Sequence, residues 1–479
     1  MNRFYFYLWL MALVISGCEK DNQTETEIQN QKINAWILEN MEVYYLWNDQ
    51  IPGRSNKSLY PAEYFESLLY KEDHFSWIQD NFTELMNSLS GVNIEAGYDF
   101  NLYLLSKNST DVMGCITYIK PGTPAEAANL KRGDYFLTIN GTQITTSNFS
   151  SLIAKTAEPH SLGLAAFSGN SITGTTNVPL SVIEYKENPV FLDTIYHIQD
   201  KKIGYFVYNF FARDNDQQGI SYEKELNNLF GKYQSEGIDE LIVDLRYNSG
   251  GTVVTAIALA SMISNRSAKD VFGYEEYNSV LDSYYANRYG KDYNVSYFLD
   301  HIERYDDNEK VVEQVPVNKL SGLERVFMIV SERSASASEL VINSLIPYMG
   351  NDHVVLVGKA TRGKNVGSYT IYETDPEKQK DNNWGMQPIV LKMSNSAHFS
   401  DYTSGFEPDI EIHESEELEL KPLGDIDELL LSTTINRIFG VSSLSKRATA
   451  RKSPDIAGSS IDRTPARKNM YVTSPNQLK

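Results

Sequence analysis

Apolar positions change period along the chain, and each change marks a boundary. From 28 to 91 they recur at helical spacing: Ile33, Trp36, Ile37, Met41 and Tyr44 fall at i, i+3, i+4 intervals, and Pro61 opens a second such run through Leu69. This predicts a small helical N-terminal cap with no evident chemistry. Between 92 and 188, short runs rich in strand formers take over at 101–105, 115–119, 135–139 and 178–185, separated by Pro-Gly, Arg-Gly-Asp and Asn-Gly turns. From 189 to 440, strand-like runs at 203–208, 241–245, 326–330, 354–357 and 389–393 alternate with helix-like runs at 252–264 and 336–348. That alternation predicts βαβ units and a largely parallel sheet. The stretch 268–320 is polar, Tyr-rich and without period, as an insertion over the core would be. Residues 441–479, mostly Ser, Lys, Arg and Pro, read as a disordered basic tail.

The N-terminus changes the picture of location. Residues 1–17 place an apolar run behind one cation, Arg3, which is the pattern of a secretory signal and too short for a membrane span. The run ends Ile15-Ser16-Gly17-Cys18, which resembles a bacterial lipobox, and Glu19-Lys20-Asp21 after it resembles the export signal of Bacteroidetes-type lipoproteins. The resemblance implies lipid on Cys18, membrane attachment through that lipid, and residence in the cell envelope, at the outer membrane facing the periplasm or the surface. Residues 18–27 then form a polar tether. The chain has two cysteines, so lipid on Cys18 leaves Cys115 without a disulfide partner; Cys115 lies in an apolar run and is expected as a small core residue.

Charge narrows the partners. The net charge is −20, the leader contributes +1, and eight Lys/Arg against two Asp give the tail +6, so the body from 18 to 440 carries −27. Such a surface repels nucleic acid and anionic lipid, and no nucleic-acid role is expected.

Candidate chemistry gathers in three stretches. Residues 358–368, GKATRGKNVGS, have the spacing of a phosphate-binding loop, but Asn365 stands where Ser or Thr is required. The residues after it, through Tyr372, are strand formers, so no helix N-terminus would face a phosphate. The alternative for Lys364 is a buried amine acting as a base. A free Lys titrates near ~10.4, and burial can bring it toward the ~7–8 that suits a general base, which Arg cannot do. In the second stretch, a strand at 326–330 runs through Ser334-Ala-Ser-Ala-Ser338 into a helix beginning near Ser336. A hydroxyl there would sit beside helix N–H groups able to receive an oxyanion. Ser336-x-x-Glu339 is equally an ordinary capping box. In the third, a strand at 241–245 leads into Asn248-Ser-Gly-Gly251, whose glycines allow positive φ and exposed amides, as many βα turns do. The seven histidines match no metal-ligand spacing, and neither metal nor cofactor is expected.

Together these stretches resemble the C-terminal processing (tail-specific) proteases, peptidase family S41, over residues from about 92 to 415, closing on Gly405-Phe-Glu-Pro-Asp-Ile-Glu-Ile412. The run 118–141 resembles a PDZ domain. The resemblance implies an α/β protein with a helical cap, a PDZ-like β-rich domain (92–188) and a crotonase/ClpP-like protease core (189–440). It implies Ser336 as nucleophile, Lys364 as general base, and oxyanion donors from the amides of Ala337 and of Gly250 or Gly251. Many members carry Gln four residues after the Lys; here Ser368 stands there and becomes the candidate third member, a hydroxyl of shorter reach. The PDZ-like peptide loop reads Gly97-Tyr98-Asp99-Phe100, and Asp99 would oppose a substrate carboxylate. The implied activity is a serine endopeptidase acting on extended or unfolded polypeptides near their C-termini. Two other readings remain open, an inactive peptide-binding scaffold and a glycan-binding surface lipoprotein. The sequence does not give the oligomeric state.

Overall fold

The computed structural model describes residues 24–53, 55–106, 108–168, 171–214, 221–305, 310–417, 419–441, 456–463 and 471–472. Cys18 and the leader lie outside the described residues. Among the described residues no helix is long and apolar enough to cross a membrane.

The N-terminal unit starts with helix α1 (Glu25–Tyr44). Its entry is a capping box: the Glu27 amide donates to Thr24 Oγ1 (3.1 Å) and the Thr24 amide to Glu27 Oε2 (2.7 Å). The helix therefore begins inside the stretch expected as tether. Helix α2 (Pro61–Leu68) has its proline at the first turn, where a missing N–H costs nothing. Ile33, Ile37 and Met41 of α1 and Tyr64, Phe65 and Leu68 of α2 bury one face against Trp384, Met386 and Ile389. A short strand, β1 (Trp77–Gln79), follows.

The β-rich domain contains β2 (Tyr98–Leu104), β3 (Val112–Ile119), β4 (Tyr135–Ile139), helix α3 (Phe149–Ala154), β5 (His160–Ser168) and β6 (Ser171–Leu180). The run expected at 178–185 is split, with a second strand at Ile183–Lys186 pairing Val92–Glu95. The Asn140-Gly141 turn has both residues at positive φ, the pair that matches strand twist in a tight hairpin. The core of this domain is built from alternate strand residues such as Tyr98, Phe100, Leu102 and Ile116. Cys115 is buried, as expected, and burial pushes its thiol up to about 12.

The third unit carries β7 (Val190–Ile198), β8 (Lys201–Tyr208), helix α4 (Tyr222–Glu236), β9 (Glu240–Asp244), helix α5 (Val253–Ser264), β10 (Val271–Tyr277), helix α6 (Ser279–Tyr289), β11 (Val326–Val330), helix α7 (Ala337–Met349), β12 (Val354–Gly358), β13 (Val366–Tyr369), β14 (Ile371–Tyr372), β15 (Gly385–Gln387), β16 (Ile389–Asn395), β17 (Ile410–Glu411) and helix α8 (Leu429–Ile438). The central sheet has the order β7-β8-β9-β11-β12-β17, parallel throughout except at the β7 edge. Its central strands β9, β11 and β12 are buried on both faces, as the unbroken apolar runs require. Leu241, Val243, Met328 and Leu356 face α4, α5 and α7, while Ile242, Phe327, Ile329 and Val357 face α8. The region 268–320 is no patternless insertion: it supplies β10, α6 and strands at Val295–Tyr297, His301–Tyr305 and Val311–Pro316. Polar faces and tyrosines masked the period there.

A buried ionic cluster fastens the β-rich domain to this core. Arg132 reaches Glu414 (2.9 Å), and Arg246 reaches both Asp244 (2.7 Å) and Glu428 (2.6 Å), all nearly without solvent. Such groups are tolerated in the interior because every carboxylate and guanidinium among them touches an opposite charge. The tail also departs from expectation: β18 (Ile456–Ser459) joins the edge of β2, and β19 (Tyr471–Val472) joins β13. The other tail residues lie outside those described.

Candidate functional site

Strand β11 ends at Val330 and helix α7 starts at Ala337, so Ser336 sits at the strand-to-helix junction. It holds φ +64°, ψ −114°, a conformation that costs a non-glycine residue roughly 1–3 kcal/mol and that clusters at functional sites. Its side chain is 0% exposed, and among the described residues its Oγ has no hydrogen-bond partner. Ser336 and Glu339 are placed as a capping box, with the hydroxyl half falling short of a full hydrogen bond. The other half of the box is made: the Ser336 amide donates to Glu339 Oε2 at 2.8 Å.

Glu339 does more than cap. Its buried carboxylate also accepts the amide of Lys364 at Oε2 (2.8 Å) and, at Oε1, the amide of Gly363 and the hydroxyl of Thr361 (both 2.6 Å). One side chain thus ties the loop after β12 to the start of α7. Burial raises the Glu339 pKa, against the pull of these four donors. Gly363 has φ +90°, and a Cβ there would lie 2.1 Å from the Thr403 carbonyl, so only glycine permits this approach.

Lys364 is 0% exposed. Burial drives its amine down to about 7; the Asp73 carboxylate pulls it up, Arg362 pushes it down, and Glu339 pulls it up. The ammonium position lies over the Phe75 ring, 4.9 Å from its centre. The N-terminal cap, expected to be chemically silent, therefore contributes the wall of this amine. Asp73 is itself anchored by Tyr45 (2.8 Å) and Ser76 (2.5 Å). No spacing in the sequence linked Asp73 or Phe75 to Lys364.

The Asn248–Gly251 turn meets the same junction. The Asn248 carbonyl accepts the Ala335 amide (3.2 Å) and the Ser338 hydroxyl (3.0 Å). A Cβ on Gly250 would lie 2.7 Å from Ser336 Cβ and 3.0 Å from its Oγ, so the turn packs directly on that side chain. The Gly250 amide donates to Asn248 Oδ1 at 2.9 Å and is occupied. Ala337 is the first residue of α7, where the helix leaves amides unpaired along its axis.

Ser368 is 0% exposed on β13. Its hydroxyl donates to Gln387 Oε1 at 2.5 Å, and Gln387 Nε2 donates to Thr370 Oγ1 at 2.6 Å. A buried Gln therefore stands at this site, supplied by β15, nineteen residues later than Ser368. Sequence reasoning looked for it four residues after the Lys and missed it, because strand pairing alone brings β15 alongside β14. Glu339 thus holds the amides of Ser336 and Lys364, Gly250 packs on the Ser336 side chain, Gly251 lies against Phe211, and Ser368 is on the strand that follows. Gly97, Tyr98, Asp99 and Phe100 form a separate place in the β-rich domain, where Gly97 (φ +88°) closes against Thr123.

Comparison with known proteins adds a lineage to this geometry. The Peptidase family S41 model matches residues 202–412, and the Peptidase S41 N-terminal domain model matches 32–77, so the two cover the core and the cap. The carboxyl-terminal-processing protease of Picosynechococcus sp. is 24% identical over 60% of this chain and 58% of its own length. That of Synechocystis sp. is 22% identical over 84% of this chain and 85% of its own length. A crystal structure from Bacteroides fragilis NCTC 9343, classed among the S41 proteases, superposes with a TM-score of 0.63 at 23% identity, covering 85% of this chain and 98% of that one, and shows the same fold. The chain spans less than two thirds of the first of these relatives; with S41 models matching both its cap and its core, it belongs to peptidase family S41.

Proposed function

We propose that the protein is a serine endopeptidase of the C-terminal processing type, with Ser336 as nucleophile and Lys364 as general base. The single observation that carries this reading is Glu339, whose one carboxylate oxygen holds the amides of both Ser336 and Lys364 at 2.8 Å. A merely structural cap has no reason to position a buried lysine as well.

The chemistry follows from the residues. At neutral pH a large share of Lys364 is the free amine, which takes the proton of Ser336 Oγ. The oxygen adds to the scissile carbonyl, and the oxyanion is received by the amide of Ala337 at the head of α7 together with that of Gly251, the Gly250 amide being held by Asn248. The ammonium then returns its proton to the leaving amine. Water, deprotonated by the same amine, releases the acyl group and restores Ser336.

Ser368 and Gln387 act as positioning residues for this amine, Gln387 taking the place that a nearer Gln holds in relatives. Ser368→Ala is expected to lower kcat about 10- to 100-fold with KM little changed. Gln387→Glu, which keeps the acceptor but adds negative charge, is expected to move the acidic limb of the pH profile upward. A merely structural pair would lower stability and leave that limb where it was.

Substrates are extended polypeptides. A cleft of about 720 Å³ lined by Trp36, Tyr44, Tyr284, Tyr285, Tyr369 and Tyr372 opens beside β13, one residue from Ser368, and suits apolar or aromatic side chains. The β-rich domain, PDZ-like in the order of its elements, supplies a second peptide contact. Lipid on Cys18 would hold the enzyme in the cell envelope; palmitate labelling abolished by Cys18→Ala checks this. Ser336→Ala is expected to abolish degradation of an unfolded model protein. Retained cleavage by purified Ser336→Ala protein would move the active site elsewhere and favour the scaffold reading for this junction.

A further inference from the structure

The β-rich domain already holds a ligand, and the ligand is this chain. β18 pairs antiparallel with the free edge of β2, in the register Ile456↔Tyr103, Gly458↔Leu102 and Ser459↔Asn101. Residues 460–463 continue against α3, so the segment lies between the edge strand and the helix. Ala457 packs on the domain's core, and Ile461 is buried. At the start of β2, Ser460 Oγ donates to Asp99 Oδ1 (2.5 Å) and accepts the Phe100 amide (3.2 Å). Strand addition of this kind draws affinity from backbone pairing and specificity from a few side-chain positions.

We propose that this groove recognises an internal stretch of polypeptide bearing a hydroxyl at the position facing Asp99, and that residues 456–463 are its resident ligand. Asp99 decides the chemistry. The buried Lys120 ammonium faces Glu95 and Glu187 (2.7 Å each) as well as Asp99 (3.4 Å), so among the described residues three carboxylates stand against Lys120 and the nearby Arg333. A chain-terminal carboxylate would add a further negative charge in a dry place, whereas a hydroxyl donates to Asp99 and asks for no counter-charge. The resident chain continues through Ile461 and so presents no terminus to the loop.

The same ligand reaches the catalytic junction at two points. Arg333, three residues before Ser336, donates to Ser460 Oγ (3.4 Å) and to Asn101 Oδ1 (2.8 Å). Further along the tail, Tyr471 and Val472 add in parallel to Ser368 and Tyr369, and the Tyr471 amide donates to the Gly251 carbonyl at 3.1 Å. The tail thus bridges the oxyanion turn and the strand that follows Lys364, while Ser336 and Lys364 have 0% exposure. It occupies the groove in the manner of a substrate and borders the catalytic junction, and an incoming polypeptide must displace it. The groove's ligand preference stands on its own; the competition with substrate rests on the peptidase reading.

The test uses the full chain carrying Ser336→Ala, so that nothing is cleaved. The probe is a fluorescent, N-acetylated and C-amidated peptide of residues 455–464 (DIAGSSIDRT), compared with one ending at Ser460 as a free acid. Adding Ser460→Asp and Ile461→Asp evicts the resident segment. The amidated peptide is expected to bind this evicted protein at least ten-fold more tightly than the parent, and at least ten-fold more tightly than the free acid does. Equal binding to parent and evicted protein overturns the resident ligand, and preference for the free acid overturns the role of Asp99. Should the evicted protein misfold, Ile456→Cys with Tyr103→Cys offers a second route. Their cross-link is expected to form on oxidation and to block probe binding until reduced, and absence of the cross-link under denaturant-free oxidation refutes the placement. With Ser336 restored, eviction is expected to speed proteolysis. Absence of proteolysis in every variant counts against the peptidase reading and leaves the binding result standing.

Discussion

Lys364→Met is expected to remove hydrolysis of an unfolded protein by a factor of about a thousand or more while making the fold more stable at pH 7. The two effects share one cause. A lysine with no solvent exposure has its amine brought to about 7, far below its ordinary value of 10.5. Folding therefore disfavours the protonated form by roughly 1.4 kcal/mol per unit, on the order of 5 kcal/mol in all. The sign follows from proton counting. Below about 7 both states bind the proton and the full penalty is present; between about 7 and 10.5 the unfolded chain holds more protons, so stability rises with pH. Methionine keeps the length of the side chain and has no charge to bury, so denaturant midpoints should rise most at and below neutral pH. Activity of the unaltered protein should climb through pH 7 as the amine is freed. A Lys364→Met protein that is less stable than its parent at pH 6, or a rate that falls as pH climbs through 7, would sink the assignment of Lys364 as base.

Glu339→Gln is expected to cost roughly 3–5 kcal/mol and to lower activity about a hundred-fold, although the change replaces one oxygen by one nitrogen. The carboxylate receives two donors at each oxygen: Thr361 Oγ1 and the Gly363 amide at one, the Ser336 and Lys364 amides at the other. An amide offers a single acceptor atom, so whichever way it turns, its NH2 faces two buried N–H or O–H groups. If it faces Ser336 and Lys364, the junction spreads; if it faces Thr361 and Gly363, the loop carrying Lys364 is released. Each orphaned donor costs about 1–3 kcal/mol. Chemical denaturation and kcat measured together check this, and a variant within two-fold of the parent in both would remove Glu339 from its central place.

Much of this arrangement was legible in the chain because it is local. The strand at 326–330 and the helix starting at Ala337 follow from period and flanking residues, so the position of Ser336 at a junction was available from ten residues of sequence. The S-x-x-E spacing flagged Glu339, but as a cap alone. The loop 358–364 was read correctly as non-helical because its β-branched and aromatic continuation forms β13. Period failed in 268–320, where half-exposed tyrosines face a cavity and the apolar alternation is broken. It failed again in the tail, where Ser, Gly and Ala give no pattern but suffice for a strand that borrows an existing edge.

What the sequence determined by itself was the order of the main elements outside 268–320 and the tail, the three motif stretches and the choice of a lysine able to lose its charge. Those depend on residues near one another in the chain, where spacing and chemistry coincide. Only the tertiary structure decided that Glu339 serves Ser336 and Lys364 at once, that Phe75 and Asp73 of the cap wall the amine, that Gln387 arrives from another strand, and that the tail fills the peptide groove. Each of these joins segments from nineteen to several hundred residues apart. Sheet pairing and desolvation bring such segments together, and neither leaves a mark in local spacing.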